Sequence, residues 1–303
     1  MINSILFIPL NKVEYIANAN KIDSEFIFDL EDSIFKLDKD TARNNLNKIL
    51  STCNLNLCAV RVNSLQTKWW KEDLDYSIQL GIRKIVIPKV NSVNDIKEYL
   101  RYIKSITKEN IEIIPIIETY LGLCNADEII SNPNINFCIF GSEDFLADIG
   151  AFGPRNTTST NPFLLHAIVK LAIICNKHDK FLIDPVFPYI GIDTIESLKE
   201  EILFGLSIGT VGKLAIHPEH VIIINSMYKD HYTTFFHNYF NEVEIIFKKM
   251  KLNSEVVTTL NGKLYGLPEI RKYKKIYKKF SKHPTLDFDS ELLKIANMLL
   301  PYE

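Results

Sequence analysis

Eight short apolar runs constrain this chain more than any other feature. They are SILFIPL (4–10), EFIFDLE (25–31), LCAVRVN (57–63), KIVIPK (84–89), IEIIPIIE (111–118), INFCIFG (135–141), KFLIDPVF (180–187) and GKLAIHP (212–218). Their apolarity is continuous rather than alternating, which marks strands buried on both faces, as in a parallel sheet covered by helices. The stretches between them are amphipathic. NPFLLHAIVKLAIICNKH (161–178) has helical period, and DTIESLKEEILFGLSIG (193–209) opens on a capping-box pattern from Asp193 to Glu196 and stops at Gly209. Strands alternating with helices in this way predict a (β/α)8 barrel, an α/β fold; a doubly wound sheet is the competing arrangement.

Beyond about residue 225 the pattern changes, which divides the chain into a barrel (1–225) and a C-terminal helical extension (226–303) that packs on the barrel or on a neighbouring subunit. A long helical segment (218–249) leads into it. Residues 248–283 hold eleven Lys or Arg against two acids, a local +9 that leaves about −11 for the rest. Within it, RKYKKIYKKF reads as an amphipathic helix with Ile270, Tyr273, Ile276, Tyr277 and Phe280 inward and lysines in water. The alternative is a basic patch that attracts the phosphates of an anionic substrate.

The overall net charge of −2 argues against a nucleic-acid binder. No run approaches the ~20 apolar residues of a membrane span, and MINSILFIPLNK lacks the basic n-region of a signal peptide. The five cysteines form no CxxC pair and sit largely in apolar runs, as reduced thiols of a cytoplasmic protein do.

In a barrel of this kind catalytic side chains stand at the C-terminal ends of the strands. Strand 2 ends in Asp29, Glu31 and Asp32, strand 3 in Arg61 and Asn63, strand 4 in Lys89 and strand 5 in Glu118. Strand 6 runs into Glu143 and Asp144, strand 7 carries Asp184 and strand 8 ends in His217, whereas the opposite ends carry mostly an isolated Lys or Glu. Glu118 and Asp144, from neighbouring strands, can converge on one divalent ion and leave its other positions to water or substrate, an arrangement that suits Mg2+. No histidine pair has the spacing of a zinc site. Arg61 can grip a substrate carboxylate with its fork of donors, or instead pair with Glu31 or Asp32. Asn63 and Lys89 join Arg61 and Glu118 as candidate substrate contacts. In the GSEDF stretch, Asp144 is the candidate ligand and Glu143 a neighbour that shapes the loop.

Taken in order, SILFIPLNKVEYIANAN, FIFDLEDSI with KDTAR, AVRVN, IIPIIET, GSEDFLADIGA and GKLAIHPEHVIIIN resemble the HpcH/HpaI aldolase and citrate lyase β-subunit family of CoA-ester lyases. The resemblance runs from the first strand almost to residue 270. It implies a Mg2+-dependent barrel enzyme, commonly a trimer or hexamer, that makes or breaks a carbon–carbon bond beside a thioester through an enolate. Its substrate would be a small hydroxy-acid or the CoA thioester of one. By the same match Glu118 and Asp144 fall on the metal ligands, Arg61 on the arginine that holds the substrate carboxylate, and Glu31 and Asp32 on catalytic-pocket acids that organise metal-bound water. One departure stands out. Where the family's extension carries a GKMIDKP-like motif, whose aspartate reaches in from a neighbouring subunit, this chain reads NGKLYGLPEIRK, with Gly266 at the aspartate's place. That leaves two alternatives to a CoA-ester lyase: a lyase or aldolase for a non-CoA oxo-acid, or a catalytically reduced member that binds a metabolite or serves in a larger complex.

Overall fold

The computed structural model describes residues 3–12, 21–50, 53–253 and 256–280. All eight apolar runs form strands: β1 (Ser4–Pro9), β2 (Glu25–Asp29), β3 (Cys58–Arg61), β4 (Lys84–Ile87), β5 (Glu112–Ile117), β6 (Phe137–Phe140), β7 (Phe181–Asp184) and β8 (Gly212–Ala215). They pair in sequence order and in parallel, and β8 closes onto β1, so the sheet is a closed barrel and the doubly wound alternative falls. Ile85, Val86, Ile113, Cys138 and Ile139 are wholly buried, and each such aliphatic side chain contributes roughly 1.5–3 kcal/mol on leaving water. The interior is packed. Near the N-terminal end, Ile5, Ile27, Ala59, Ile114, Ile139 and Ile183 line a void of about 20 Å3, room for a single water.

The helices between the strands are α1 (Lys39–Leu50), α2 (Trp70–Gln79), α3 (Val93–Ile106), the short α4 (Tyr120–Cys124) and α5 (Ala126–Ile130), α6 (Ser142–Asp148), α7 (Pro162–Lys177) and α8 (Ile195–Ile208). The helix expected directly after β1 lies outside the described residues. α7 follows the predicted range closely, with Pro162 in its first turn and the Asn161 side chain accepting from the Phe163 and Leu164 amides. The start of α8 differs from expectation. Asp193 sits in a 3-10 turn (Ile192–Thr194), and Thr194 precedes the helix with no side-chain cap, so the capping box is not made. Its end is as read: Gly209 takes φ 85°, the left-handed conformation that closes a helix.

The chain divides into two compact units, one covering residues 2–227 and the other beginning at Tyr228. The second holds most of a long helix, α9 (Pro218–Asn253), an antiparallel hairpin of β9 (Val257–Leu260) and β10 (Lys263–Gly266), and α10 (Leu267–Phe280). In α10, Ile270 and Tyr273 are buried, Ile276 and Tyr277 are half-buried, and Arg271, Lys272, Lys275 and Lys278 are exposed, while the Phe280 side chain lies outside the described set. Lys279 departs from the pattern and is buried. Among the described residues no helix is long and apolar enough to cross a membrane.

Candidate active site

The register of β2 and β3 places Asp29 directly beside Arg61. Their side chains therefore share a face of the sheet, and the guanidinium closes on the carboxylate as a fork: Arg61 Nε donates to Asp29 Oδ1 and Nη2 to Oδ2, each at 2.7 Å. The Glu31 amide also donates to Asp29 Oδ1 at 2.9 Å and the Ser33 amide to Oδ2 at 3.2 Å. Burial alone would raise the Asp29 pKa, but the Arg61 charge and these donors outweigh it and hold it at about 2. Arg61 in turn packs on Phe7 and places Nη1 3.1 Å from Glu31 Oε2. Arg61 thus pairs with Glu31, one of the two acids expected by sequence, but its committed hydrogen-bonded partner is Asp29, which is not among them. One edge of its fork is spent, and a substrate carboxylate would meet the Nη1–Nη2 end.

Glu31 is 4% exposed. Its Oε1 accepts from Lys89 Nζ at 2.8 Å, while Oε2 is buried with no hydrogen-bond partner, the Arg61 contact being an ion pair out of hydrogen-bond alignment. Lys39 is buried beneath it and donates from Nζ to the Leu30 and Glu31 carbonyls at 2.6 and 2.7 Å. Asp32 is half exposed and accepts from Lys89 Nζ at 2.9 Å.

Lys89 holds this corner together in two ways. Its backbone is left-handed, with φ 53°, a strained conformation for a non-glycine residue that costs of order 1 kcal/mol. In that conformation its amide donates to Glu118 Oε1 at 2.7 Å while its ammonium bridges Glu31 and Asp32. Glu118 is 2% exposed. Burial pushes its pKa well above the ordinary carboxylate range; Arg61 opposes this, and Asp144 and Glu31 push it further. A carboxylate can occupy this position only because residue 141 is glycine: a Cβ there would lie 2.5 Å from both Glu118 Cβ and Oε2. Three residues on, in the first turn of α6, the half-buried Asp144 carboxylate has no hydrogen bond or ion pair among the described residues.

Other expectations shift. Asn63 serves the scaffold rather than the mouth: it is buried, and Nδ2 donates to the Leu30 carbonyl at 2.8 Å and to Asp73 Oδ2 at 2.6 Å. Asp73 is itself paired with Arg43 at 2.8 Å. Asp184 is wholly buried and pairs with Lys213 at 2.6 Å; Lys213 also reaches Glu201 of α8 at 3.0 Å. It belongs to a joint between barrel and helix layer. His217 is partly exposed, its Nδ1 accepting from the Glu219 amide at 3.3 Å. Glu143 accepts from Arg155 Nε at 2.9 Å.

Two carboxylates with no ion pair among the described residues, beside a third with an orphaned oxygen, fit a hard divalent cation that brings its own charge and keeps open positions. Among the described residues no three His, Cys, Asp or Glu side chains gather as a ready-made metal cluster, so two carboxylates would be what these residues contribute. The structure is thus a (β/α)8 barrel with acids and an arginine gathered at the C-terminal ends of its strands, the face where barrel enzymes carry their active sites. The chain belongs to the HpcH/HpaI aldolase/citrate lyase family, whose model matches residues 3–218. It is 28% identical over 229 residues to a (3S)-malyl-CoA thioesterase of Cereibacter sphaeroides, covering 74% of this chain and 76% of that one. It is 28% identical over 269 residues to the L-malyl-CoA/beta-methylmalyl-CoA lyase of Rhodobacter capsulatus, covering 80% and 83%. CitE of Mycobacterium tuberculosis, solved with magnesium, acetoacetate and coenzyme A, shares the fold with a TM-score of 0.72 at 19% identity, over 97% of each chain.

Proposed function

We propose that this protein is a Mg2+-dependent carbon–carbon lyase that cleaves or forms a small hydroxy-acid carried as its CoA thioester. The observation that supports it most is the pairing of a desolvated Glu118 with the unpartnered Asp144 carboxylate. These two residues would hold the ion, which when bound supplies Lewis-acid polarisation of a substrate oxygen. Arg61, oriented by Asp29, binds the substrate carboxylate through its Nη1–Nη2 end, where Nη1 also faces Glu31. Glu31 Oε2, buried and without a hydrogen-bond partner, takes the proton of the substrate hydroxyl. As that oxygen becomes a carbonyl the carbon–carbon bond breaks, and its electron pair passes to the carbon beside the thioester as an enolate. Lys89 keeps Glu31 and Asp32 in place throughout. The enolate carbon then needs a proton, and among the described residues the barrel rim offers no dedicated donor for it.

Gly266 bears on that last step and favours a second reading, a family member that binds the acid and turns it over slowly or not at all. The glycine is not demanded by packing: an added Cβ would meet Pro268 Cδ at 3.6 Å and nothing closer. A β-carbon is therefore accommodated there, and restoring a positioned acid is worth ~10²–10⁴ in rate. The test is incubation of the protein with Mg2+ and a panel of hydroxyacyl-CoA esters and free hydroxy-acids, following carbon–carbon cleavage products and free thiol separately. Cleavage that is lost in Glu118→Ala and enhanced in Gly266→Asp supports the lyase. Thiol release without cleavage identifies hydrolysis of the kind one relative is named for, and cleavage of free acids alone removes CoA from the reading. Binding without turnover, in the wild type and in Gly266→Asp alike, leaves only the second reading. Size-exclusion chromatography with light scattering tests the trimer or hexamer implied by the family resemblance.

A further inference from the structure

We infer that Arg155, in the loop between α6 and α7, is the positioning residue for Asp144. This rests on the reading of Asp144 as a metal ligand. Nothing bound to the Asp144 carboxylate sets its direction among the described residues, so its aim comes from α6, which is only seven residues long. So short a helix has little stability of its own; both its ends must be tied down. The last turn is tied to the rim beyond β5, where the Tyr120 amide donates to Asp148 Oδ2 at 2.7 Å. The first turn is tied by Arg155, whose Nε donates to Glu143 Oε1 at 2.9 Å and Nη2 to Ser142 Oγ at 3.3 Å. These are the two residues immediately before Asp144.

Arg155 can brace the turn because it is itself held from behind. Its side chain is 10% exposed, and Nη1 lies 3.2 Å from Glu201 Oε2 on α8. Nη2 donates to the Val186 carbonyl beyond β7 at 3.3 Å. Glu201 is fully buried, accepts from the Thr158 amide of the same loop at 3.1 Å, and pairs with Lys213 on β8. A line of charge thus runs from the barrel wall, through Glu201 and Arg155, to the turn that carries Asp144. Only a planar fork with several donors spans three elements at once; a lysine reaches one.

The test is Mn2+ titration of the full-length protein by electron paramagnetic resonance, Mn2+ standing in for Mg2+, at a temperature where circular dichroism shows each variant folded. Partners behind metal ligands typically contribute ~10–100-fold to affinity. Arg155→Ala should weaken Mn2+ binding by about tenfold, and Arg155→Lys by less. Glu143→Ala removes the charged contact to α6, keeps the weaker one to Ser142 and leaves Arg155 paired with Glu201; it should weaken binding in the same direction, and serves alone if Arg155→Ala does not fold. Wild-type affinity in the folded Arg155 and Glu143 variants, with only the melting temperature lowered, would make Arg155 a structural residue and overturn the inference. Glu118→Gln separates this from the reading beneath it. If Glu118→Gln retains full Mn2+ binding, the metal site is elsewhere and both proposals fall; if it loses binding and Arg155→Ala does not, only the role of Arg155 is refuted.

Discussion

Replacing Gly141 with alanine tests the geometry on which the candidate metal site depends. The backbone permits it, since φ is −97°, so the consequence is steric. The new Cβ would stand 2.5 Å from Glu118 Cβ and Oε2 and 2.9 Å from Ile116 Cγ2, about 1 Å inside an ordinary carbon contact. Residue 141 cannot retreat easily. Its amide donates to the Ile117 carbonyl at 3.0 Å and its carbonyl accepts from the Phe145 amide at 3.1 Å, so it is pinned to β5 on one side and to α6 on the other. Glu118 must move instead, and a displacement of about 1 Å stretches its 2.7 Å bond from the Lys89 amide out of range. Overpacking of this size costs about 1–3 kcal/mol. At ~2–4 °C per kcal/mol, the melting temperature should fall by about 5 °C. Metal affinity should fall by tenfold or more, because the proposed ligand Glu118 is displaced directly. Mn2+ titration and thermal unfolding of Gly141→Ala measure both quantities. Combining it with Glu118→Gln refines the test: the stability cost should persist, while no further affinity should be lost, since the two changes act through one carboxylate. Wild-type affinity in Gly141→Ala would refute the placement of Glu118 over Gly141.

Three other perturbations have worked outcomes. Lys213→Met leaves Asp184 and Glu201 buried without their shared cation; breaking such a pair costs about 3–5 kcal/mol, so the barrel should melt about 10 °C lower, and unchanged melting would show the joint to be dispensable. Asp29 has its pKa lowered from an ordinary 3.8 to about 2, so it binds fewer protons folded than unfolded, and its contribution is present above about pH 4 and lost as pH falls towards 2. That contribution is about 2 kcal/mol; the stability gap between wild type and Asp29→Asn in urea should therefore shrink by about two thirds of it between pH 5 and 2.5, and a constant gap would contradict the shift. Gly209→Ala meets no atom within 4 Å but must hold φ 85°, so it should cost about 1 kcal/mol from backbone strain alone, read as a 2–4 °C lower melting temperature.

The strands were legible because a parallel sheet needs side chains that are apolar on both faces, and the eight runs recur at the spacing of a strand–helix repeat. The rim acids and Arg61 were legible for a related reason: polar residues directly after such runs have left the core. Position along the strand does not say which way a side chain turns, however. Asp184 turns toward the helix layer and Asn63 toward Asp73, so both looked like rim residues and serve the scaffold. The Asp29–Arg61 fork depends on the stagger between two strands, which no single run encodes. Arg155 lies in a loop with no periodicity to betray it. A usable signal did exist for Glu201 and Arg43. Each lies on the apolar stripe of its helix, Glu201 with Leu198, Ile202 and Leu206 and Arg43 with Ala42, Leu46 and Ile49, and a charge on such a stripe announces a buried partner. Gly141 could be seen as the end of a run, but its reason, the space occupied by Glu118, belongs to tertiary structure.

The two buried rim carboxylates with the most definite environments are pushed in opposite directions, and the difference points to what the site is built to receive. Asp29 has its counter-ion supplied by the fold, two guanidinium bonds fixed by strand register, and is held strongly acidic. Glu118 is equally buried but receives a single backbone amide, while Asp144 and Glu31 add repulsion. Asp29, Glu31, Asp32, Glu118 and Asp144 together face Lys39, Arg61 and Lys89, a formal excess of two negative charges when all are ionised. Lys39 and Lys89 are committed to the β2 loop and Arg61 to Asp29, so Arg61 offsets the Glu118 charge only in part and burial still prevails. An excess of this kind, left in a buried position, costs several kcal/mol, and a fold selected for stability alone would replace it with apolar side chains. A divalent cation with a preference for oxygen matches both the charge and the ligand type, which is why the metal reading follows from the protein's own electrostatics. The same groups include, among the described residues of the rim, no assigned donor for the final proton of a cleavage reaction.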